Sequence, residues 1–125
     1  MEFGVNYEGV KKSDKMNIEE ILKLHQRIDV LANGERYGAN HQDYKPNIKM
    51  FELLVNRFYN VVGEMELPYE IRQDIMDGQE SLINQFLTLR SNLCTNKYEQ
   101  MRYIFSGIDQ ITNDIKHFMN VKIQN

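Results

Sequence analysis

Residues 101–118, MRYIFSGIDQITNDIKHF, decide the fold, because large apolar side chains recur there at every third or fourth position. The series is Met101, Ile104, Phe105, Ile108, Ile111, Ile115 and Phe118. This spacing matches the roughly 3.6-residue turn of an α-helix with one apolar face. Thr95-Asn96 offers an N-cap, and Glu99 completes a capping box. We therefore predict a helix over 97–121.

Three further segments carry the same period, and we predict helices over 17–33, 47–63 and 69–93. Pro46 is expected in the first turn of the second of these, where a missing N–H does no harm. No strand–turn–strand signal follows residue 16. Four amphipathic helices joined by short connections predict an all-α protein, an antiparallel four-helix bundle.

The chain has 125 residues, which is enough for one domain and too few for two. Residues 1–16 contain two glycines and a Lys-Lys pair without a helical period, so we predict a flexible or extended N-terminal arm. Residues 17–125 are predicted to form a single helical-bundle domain.

The third predicted helix has two apolar stripes. The first consists of Ile71, Ile75, Leu82, Phe86, Leu89 and Leu93, and the second of Met76, Ile83, Leu87 and Cys94. The stripes lie about 90° apart at 100° per residue. An apolar arc this wide has to contact two neighbours, either two other helices or one helix and a second subunit. We therefore predict a homodimer, most simply with twofold symmetry.

Composition excludes several classes of protein. With 42% apolar and 26% charged residues, the chain is not disordered throughout. A net charge of −3 argues against direct binding to nucleic acid or to an anionic membrane. No apolar run approaches the roughly 18 residues of a membrane span, and the first residues lack the apolar core of a signal peptide. We expect a cytoplasmic protein.

Acidic residues are concentrated in one part of the chain. Between Glu64 and Glu80 there are six carboxylates and one arginine, a local net charge of −5. Glu70, Asp74 and Asp77 share one solvent face at helical spacing. Such a face is either simply solvated, with part of it balancing the helix dipole, or a docking surface for a basic partner. The predicted partner-binding residues are Glu66, Glu70, Asp74, Asp77 and Glu80, together with Tyr37 and Tyr44 of the 35–45 loop.

The same loop holds an Arg-x4-His spacing, Arg36 to His41. This spacing resembles the motif of HEPN-domain ribonucleases, which are small helical bundles, although Tyr37 stands where that family usually has a polar residue. The resemblance implies a metal-independent ribonuclease in which an Arg and a His meet across a dimer. Arg36 would steady the RNA phosphate and His41 would move a proton near neutral pH.

Histidine elsewhere does not form a metal motif. His25 lies in the apolar stripe of the first helix, and Asp29 follows one turn later. The imidazole is either structural and held by a neighbouring carboxylate, or functional. Asp114-x-x-His117 is the nearest approach to a di-metal motif, but His117 falls about 160° from the apolar centre of its helix. We predict no metal site and no cofactor.

These observations favour a small non-enzymatic interaction or regulatory protein that docks a larger protein through the acidic helix face and the polar loop. Inhibitors, antitoxins, immunity proteins and phage accessory proteins are of this physical type. Abundant Ile and Asn, which have A/T-rich codons, suit a phage or mobile element. The alternative is the ribonuclease using Arg36 and His41.

Overall fold

Four helices form the part of the chain that the computed structural model describes, residues 12–34 and 46–124. They are α1 (Lys12–Ala32), α2 (Ile48–Gly63), α3 (Tyr69–Arg90) and α4 (Lys97–Gln124). The described residues contain no strand. The prediction of an all-α fold is confirmed.

The helices form an antiparallel bundle. α1 packs on α2 and α4, and α3 packs on both of them as well. Glu20, early in α1, pairs with Arg57 near the end of α2. Later in α1, Arg27 lines a groove with Met50 near the start of α2. Positions rise along one helix as they fall along the next, so consecutive helices run in opposite directions, as predicted.

The core is built from the apolar stripes that the sequence indicates. Phe51, Phe58, Ile28, Leu89 and Ile108 have no more than 1% of their surface exposed. Each fully buried side chain of this size contributes about 1.5–3 kcal/mol through its removal from water. Because all four helices supply core residues, the bundle has one core that all of them share.

The first helix begins earlier than predicted. α1 starts at Lys12, five residues before the expected start at 17, so residues 12–16 do not belong to an arm. Lys15 and Met16 are exposed, and an exposed turn adds nothing to an apolar period. The period marks only the buried part of a helix. The rest of the predicted arm, residues 1–11, lies outside the described residues.

The second helix begins slightly later than its proline suggests. Asn47 is the N-cap of α2, and its side-chain oxygen accepts a hydrogen bond from the Met50 N–H at 3.0 Å. Pro46 therefore precedes the cap and does not stand in the first turn. An asparagine side chain satisfies a helix N-terminus, whereas proline cannot, so the cap residue sets the start.

The third helix ends at Arg90, and its predicted extension to Leu93 is wrong. Leu93 is 90% exposed and lies beyond the helix, so it is not part of the buried stripe. The Lys97 ammonium group donates hydrogen bonds to the carbonyls of Leu89 and Ser91, both at 2.6 Å. A cation on the last carbonyls stabilises this helix end, which apolar spacing does not reveal.

Tyr59 of α2 reaches across the bundle to the backbone of α3. A Cβ atom added at Gly78 would lie 2.5 Å from the Tyr59 hydroxyl and 3.3 Å from its Cζ. Tyr59 is only 5% exposed, so the ring has little freedom to move aside. Glycine in the middle of a helix costs about 1 kcal/mol relative to alanine. The helix accepts this cost because any larger residue at position 78 would clash with the Tyr59 ring.

We expect Gly78→Ala to destabilise the protein by about 1–2 kcal/mol, because the clash with Tyr59 outweighs the gain in helix propensity. In a Tyr59→Phe background the hydroxyl is absent, and the same substitution should be neutral or stabilising. Chemical denaturation of the four proteins of this double-mutant cycle measures the coupling. Equal effects of Gly78→Ala in both backgrounds would show that the hydroxyl does not determine the need for glycine.

Burial raises the pKa of Tyr59 above its ordinary value of 10.0. The folded-state pKa therefore exceeds the unfolded one, and the folded state holds its proton more tightly. The stability that Tyr59 contributes by holding its proton is fully present below about pH 10. It is lost as pH rises through the folded-state pKa.

We expect the free energy of unfolding to fall steeply above about pH 10, and Tyr59→Phe to lessen that fall. Denaturation curves between neutral and alkaline pH measure it. Tyr103 is 63% exposed, so Tyr103→Phe is the matched control. The assignment to Tyr59 would be contradicted if Tyr59→Phe left the loss of stability at alkaline pH unchanged. It would also be contradicted if the control lessened that loss equally.

Candidate functional site

The carboxylates predicted to bind a partner are all exposed. Glu70, Asp74, Asp77 and Glu80 lie on α3, and Glu66 precedes it in the α2–α3 connection. Asp77 accepts a hydrogen bond from the Gln73 side chain at 3.0 Å. Their exposure leaves these groups accessible to a cation from outside the chain.

Two of the five carboxylates share a concave site between two of the described helices. Glu70 and Asp74 line a groove of about 370 Å³ between α3 and α4. Ile71, Pro68 and Phe118 supply its apolar lining, and Asp114 and His117 complete it from α4. We call this site the α3/α4 groove. Asp114 also accepts a hydrogen bond from Gln110 at 3.2 Å.

Glu70, Asp74 and Asp77 lie within about 60° of one another around α3, but Glu80 lies away from them. At 100° per residue, Glu80 lies about 80° around α3 from Glu70 and about 120° from Asp74. Glu80 adjoins the second apolar stripe of the helix, not the α3/α4 groove. All four carboxylates belong to one acidic segment of the sequence, but helix rotation separates Glu80 from the other three.

The second apolar stripe of α3 is open to solvent. Met76 is 61% exposed, Ile83 71% and Leu87 56%, so none of the other described helices covers them. The wide apolar arc was predicted to contact two other helices, or one helix and a second subunit. α3 does pack on two other helices, α2 and α4, but among the described residues these contacts leave this stripe uncovered. Cys94, predicted to extend the stripe, lies beyond α3 and is half-buried. We define the exposed stripe as Met76, Ile83 and Leu87.

The loop candidates lie outside the described residues. Arg36, Tyr37, His41 and Tyr44 all fall within 35–45, between the end of α1 and Pro46. Their roles stay predictions.

His25 is held by a carboxylate, but not by the one expected from its own helix. Its Nε2 lies 2.8 Å from Oδ1 of Asp109 on α4, and its ring centroid is 5.1 Å from that of Phe105. Asp29 instead accepts a hydrogen bond from the Asn33 side chain at 2.6 Å. The His25 side chain is 22% exposed, and the pair ties α1 to α4 at the edge of the core.

Metal-ligating side chains do not converge in the described ranges. Within residues 12–34 and 46–124, no group of three or more His, Cys, Asp or Glu is arranged to hold a metal ion. His117 and Asp114 do lie in one groove with Glu70 and Asp74, although they are not gathered into such a group. Their shared position makes the groove acidic on both walls.

None of the helices that the structure describes is long and apolar enough to span a bilayer. Comparisons with protein-family models, with curated proteins and with solved structures gave no significant match. The candidate sites therefore rest on the chain's own residues and geometry.

Sequence reasoning missed the contribution of α4 to the acidic site. In the sequence, Asp114 and His117 suggest only a metal-ligand pair, and His117 falls about 160° from the apolar centre of α4. In the structure both residues lie across the α3/α4 groove from Glu70 and Asp74. The useful signal was antiparallel pairing, since the start of α3 must lie beside the end of α4.

Proposed function

We propose that the protein is a small, non-enzymatic, cytoplasmic interaction protein that docks a basic surface of a larger protein through the α3/α4 groove and the carboxylates beside it. Inhibitors, antitoxins, immunity proteins and phage accessory proteins are of this kind. The observation that carries the proposal is the groove itself, where Glu70, Asp74 and Asp114 come together from two helices around an apolar lining.

The lining suits a lysine or arginine side chain. Such a side chain has an apolar stem and a charged head, and it buries the stem along apolar surface while the head stays with polar groups. Ile71, Pro68 and Phe118 offer the apolar surface, and the carboxylates of Glu70 and Asp74 offer acceptors for the head. Charge-assisted hydrogen bonds of this type are stronger than neutral ones.

Electrostatics within α3 supports the same interpretation. Glu70 and Asp74 are four residues apart, and like charges at that spacing destabilise a helix by about 0.2–0.5 kcal/mol. Glu70 in the first turn is partly compensated by the positive end of the helix dipole, but Asp74 lies beyond that turn. A cationic partner would relieve the repulsion that the isolated chain retains.

Self-association is the second part of the proposal. The exposed stripe of Met76, Ile83 and Leu87 supports a homodimer, because one apolar face of α3 is left without a covering helix among the described residues. The groove and the stripe lie on different sides of α3, so the two interactions do not compete.

We expect Glu70→Lys with Asp74→Lys to reduce partner recovery at least tenfold, since the groove would then repel a basic side chain. The measurement is a quantitative pull-down with immobilised protein from a lysate of the producing cells, with bound proteins identified by mass spectrometry. Binding by the wild type should also weaken as salt is raised.

The matched control is Glu19→Lys with Glu99→Lys, which changes the net charge equally on α1 and α4. It should retain the partner. Equal loss in both double variants would show that only net charge matters, and unchanged recovery with the groove variant would refute the docking site. Circular dichroism checks that both variants stay helical.

The ribonuclease remains the alternative function, and the all-α bundle is the one structural feature that agrees with the HEPN resemblance. Our proposal predicts no RNA cleavage by the wild-type protein above the level of a His41→Ala, Arg36→Ala preparation. The assay uses a labelled single-stranded RNA at several pH values. Cleavage by the wild type that His41→Ala abolishes would instead establish the enzyme.

A further inference from the structure

The α3/α4 groove carries carboxylates on both of its walls. Glu70 and Asp74 stand on α3 and Asp114 on α4, around an apolar lining. Within the described residues, neither a lysine nor an arginine lines the groove. Arg72 is not part of the lining, and its guanidinium group donates a hydrogen bond to the Met65 carbonyl at 3.1 Å. The lining that the structure describes therefore supplies no basic side chain for these carboxylates.

Elsewhere in the bundle, arginine pairs with carboxylates that join two helices. The Nε and Nη2 atoms of Arg57 donate to the two carboxylate oxygens of Glu20 at 2.7 and 3.0 Å. Arg90 likewise donates through Nε and Nη2 to both oxygens of Glu52. Two-point contacts of this kind match the planar guanidinium group to the planar carboxylate. In both pairs the cation that spans two helices is an arginine.

The surroundings of Arg90 also include an aromatic ring. Its guanidinium carbon lies 6.0 Å from the centroid of the Phe86 ring. A delocalised guanidinium group is attracted to aromatic rings as well as to carboxylates. The α3/α4 groove combines the same two kinds of group, since Phe118 lines it together with Asp74 and Asp114. The groove is thus made of the groups that hold Arg90 in its own place.

The shape of the groove favours arginine over lysine. A lysine ammonium group is compact and strongly hydrated, so it loses more hydration on entering an apolar-lined groove. A guanidinium group is more weakly hydrated and has five N–H donors in one plane. It can donate to carboxylates on both walls while its aliphatic stem packs along the apolar lining. The chemistry that fits this groove is therefore that of an arginine side chain.

We propose that the α3/α4 groove recognises an arginine side chain of the partner in preference to a lysine. Glu70, Asp74 and Asp114 accept the hydrogen bonds of the guanidinium group, and Ile71 and Phe118 contact its apolar parts. This inference rests on the proposed function and names the residue type that the docking site selects. The partner is accordingly a protein that presents an exposed arginine on a basic surface.

NMR titrations of the full chain with three small probes test the preference. The probes are the N-acetyl N-methylamides of arginine, of lysine and of citrulline, which keeps the shape of arginine without its charge. At low salt, the arginine probe should shift the backbone amide signals of the groove residues. We expect its Kd to be roughly fivefold lower than that of the lysine probe, the equivalent of one added hydrogen bond. The citrulline probe should leave these signals unchanged.

A pair of charge-neutral variants locates the binding. Glu70→Gln with Asp74→Asn removes two charges from the groove at nearly constant side-chain size. It should abolish the shifts that the arginine probe causes on the α4 side of the groove. Glu19→Gln with Glu99→Gln removes two charges from other parts of the surface and is the matched control. This control should bind the arginine probe as the wild type does.

The outcomes separate this inference from the proposed function. Equal Kd values for the arginine and lysine probes overturn the preference, and so does equal binding of the citrulline probe. An arginine probe that shifts no groove signal, or that binds the Glu70→Gln, Asp74→Asn variant unchanged, overturns the arginine site. None of these results decides whether a basic protein docks here. That question is settled by the pull-down, in which the lysine substitutions either lose or retain the partner.

Discussion

The packing of α4 against α1 and α3 is the interaction on which the rest of the structure depends. Met101, Ile108 and Ile115 are almost completely buried along this helix, which reaches from Lys97 to Gln124. A helix in a protein gains most of its stability from burial of its apolar face rather than from helix propensity. Both candidate surfaces depend on this packing, since it forms the α3/α4 groove and fixes which side of α3 stays exposed.

Polar contacts between helices then select one arrangement of the stripes. Glu20 with Arg57, Glu52 with Arg90, and His25 with Asp109 each join two different helices. The arginine side chains of the first two pairs are more than half exposed. The Glu20–Arg57 pair is exposed on both sides, and such pairs contribute little to stability, whereas the Glu52 side chain is only 13% exposed. Their value is in the register, because each pair is satisfied at only one alignment of its helices.

α3 divides its surface among three different roles. One arc, which includes Ile75, Leu82 and Phe86, faces the core. A second arc carries Glu70 and Asp74 to the groove with α4. The third arc is the exposed stripe of Met76, Ile83 and Leu87. Gly78 belongs to none of these roles, but it admits Tyr59 and so allows α2 to pack closely against the helix. A single helix can serve the core and also carry two proposed interaction surfaces only because these arcs do not overlap.

The sequence by itself determined the number of helices, their apolar stripes and most of their ends, because these depend on local spacing and on caps such as Asn96, whose side chain accepts the Glu99 N–H at 3.0 Å. It also indicated the second stripe of α3 and the acidic segment. Only the tertiary structure decided which groups meet. Three contacts join residues that belong to different helices or to the two sides of a turn. They are Asp109 with His25, Asp114 with the start of α3, and Lys97 with the end of α3. Such contacts depend on the rotation and register of the helices. Both arise when the four apolar stripes pack together, and no single stripe encodes them.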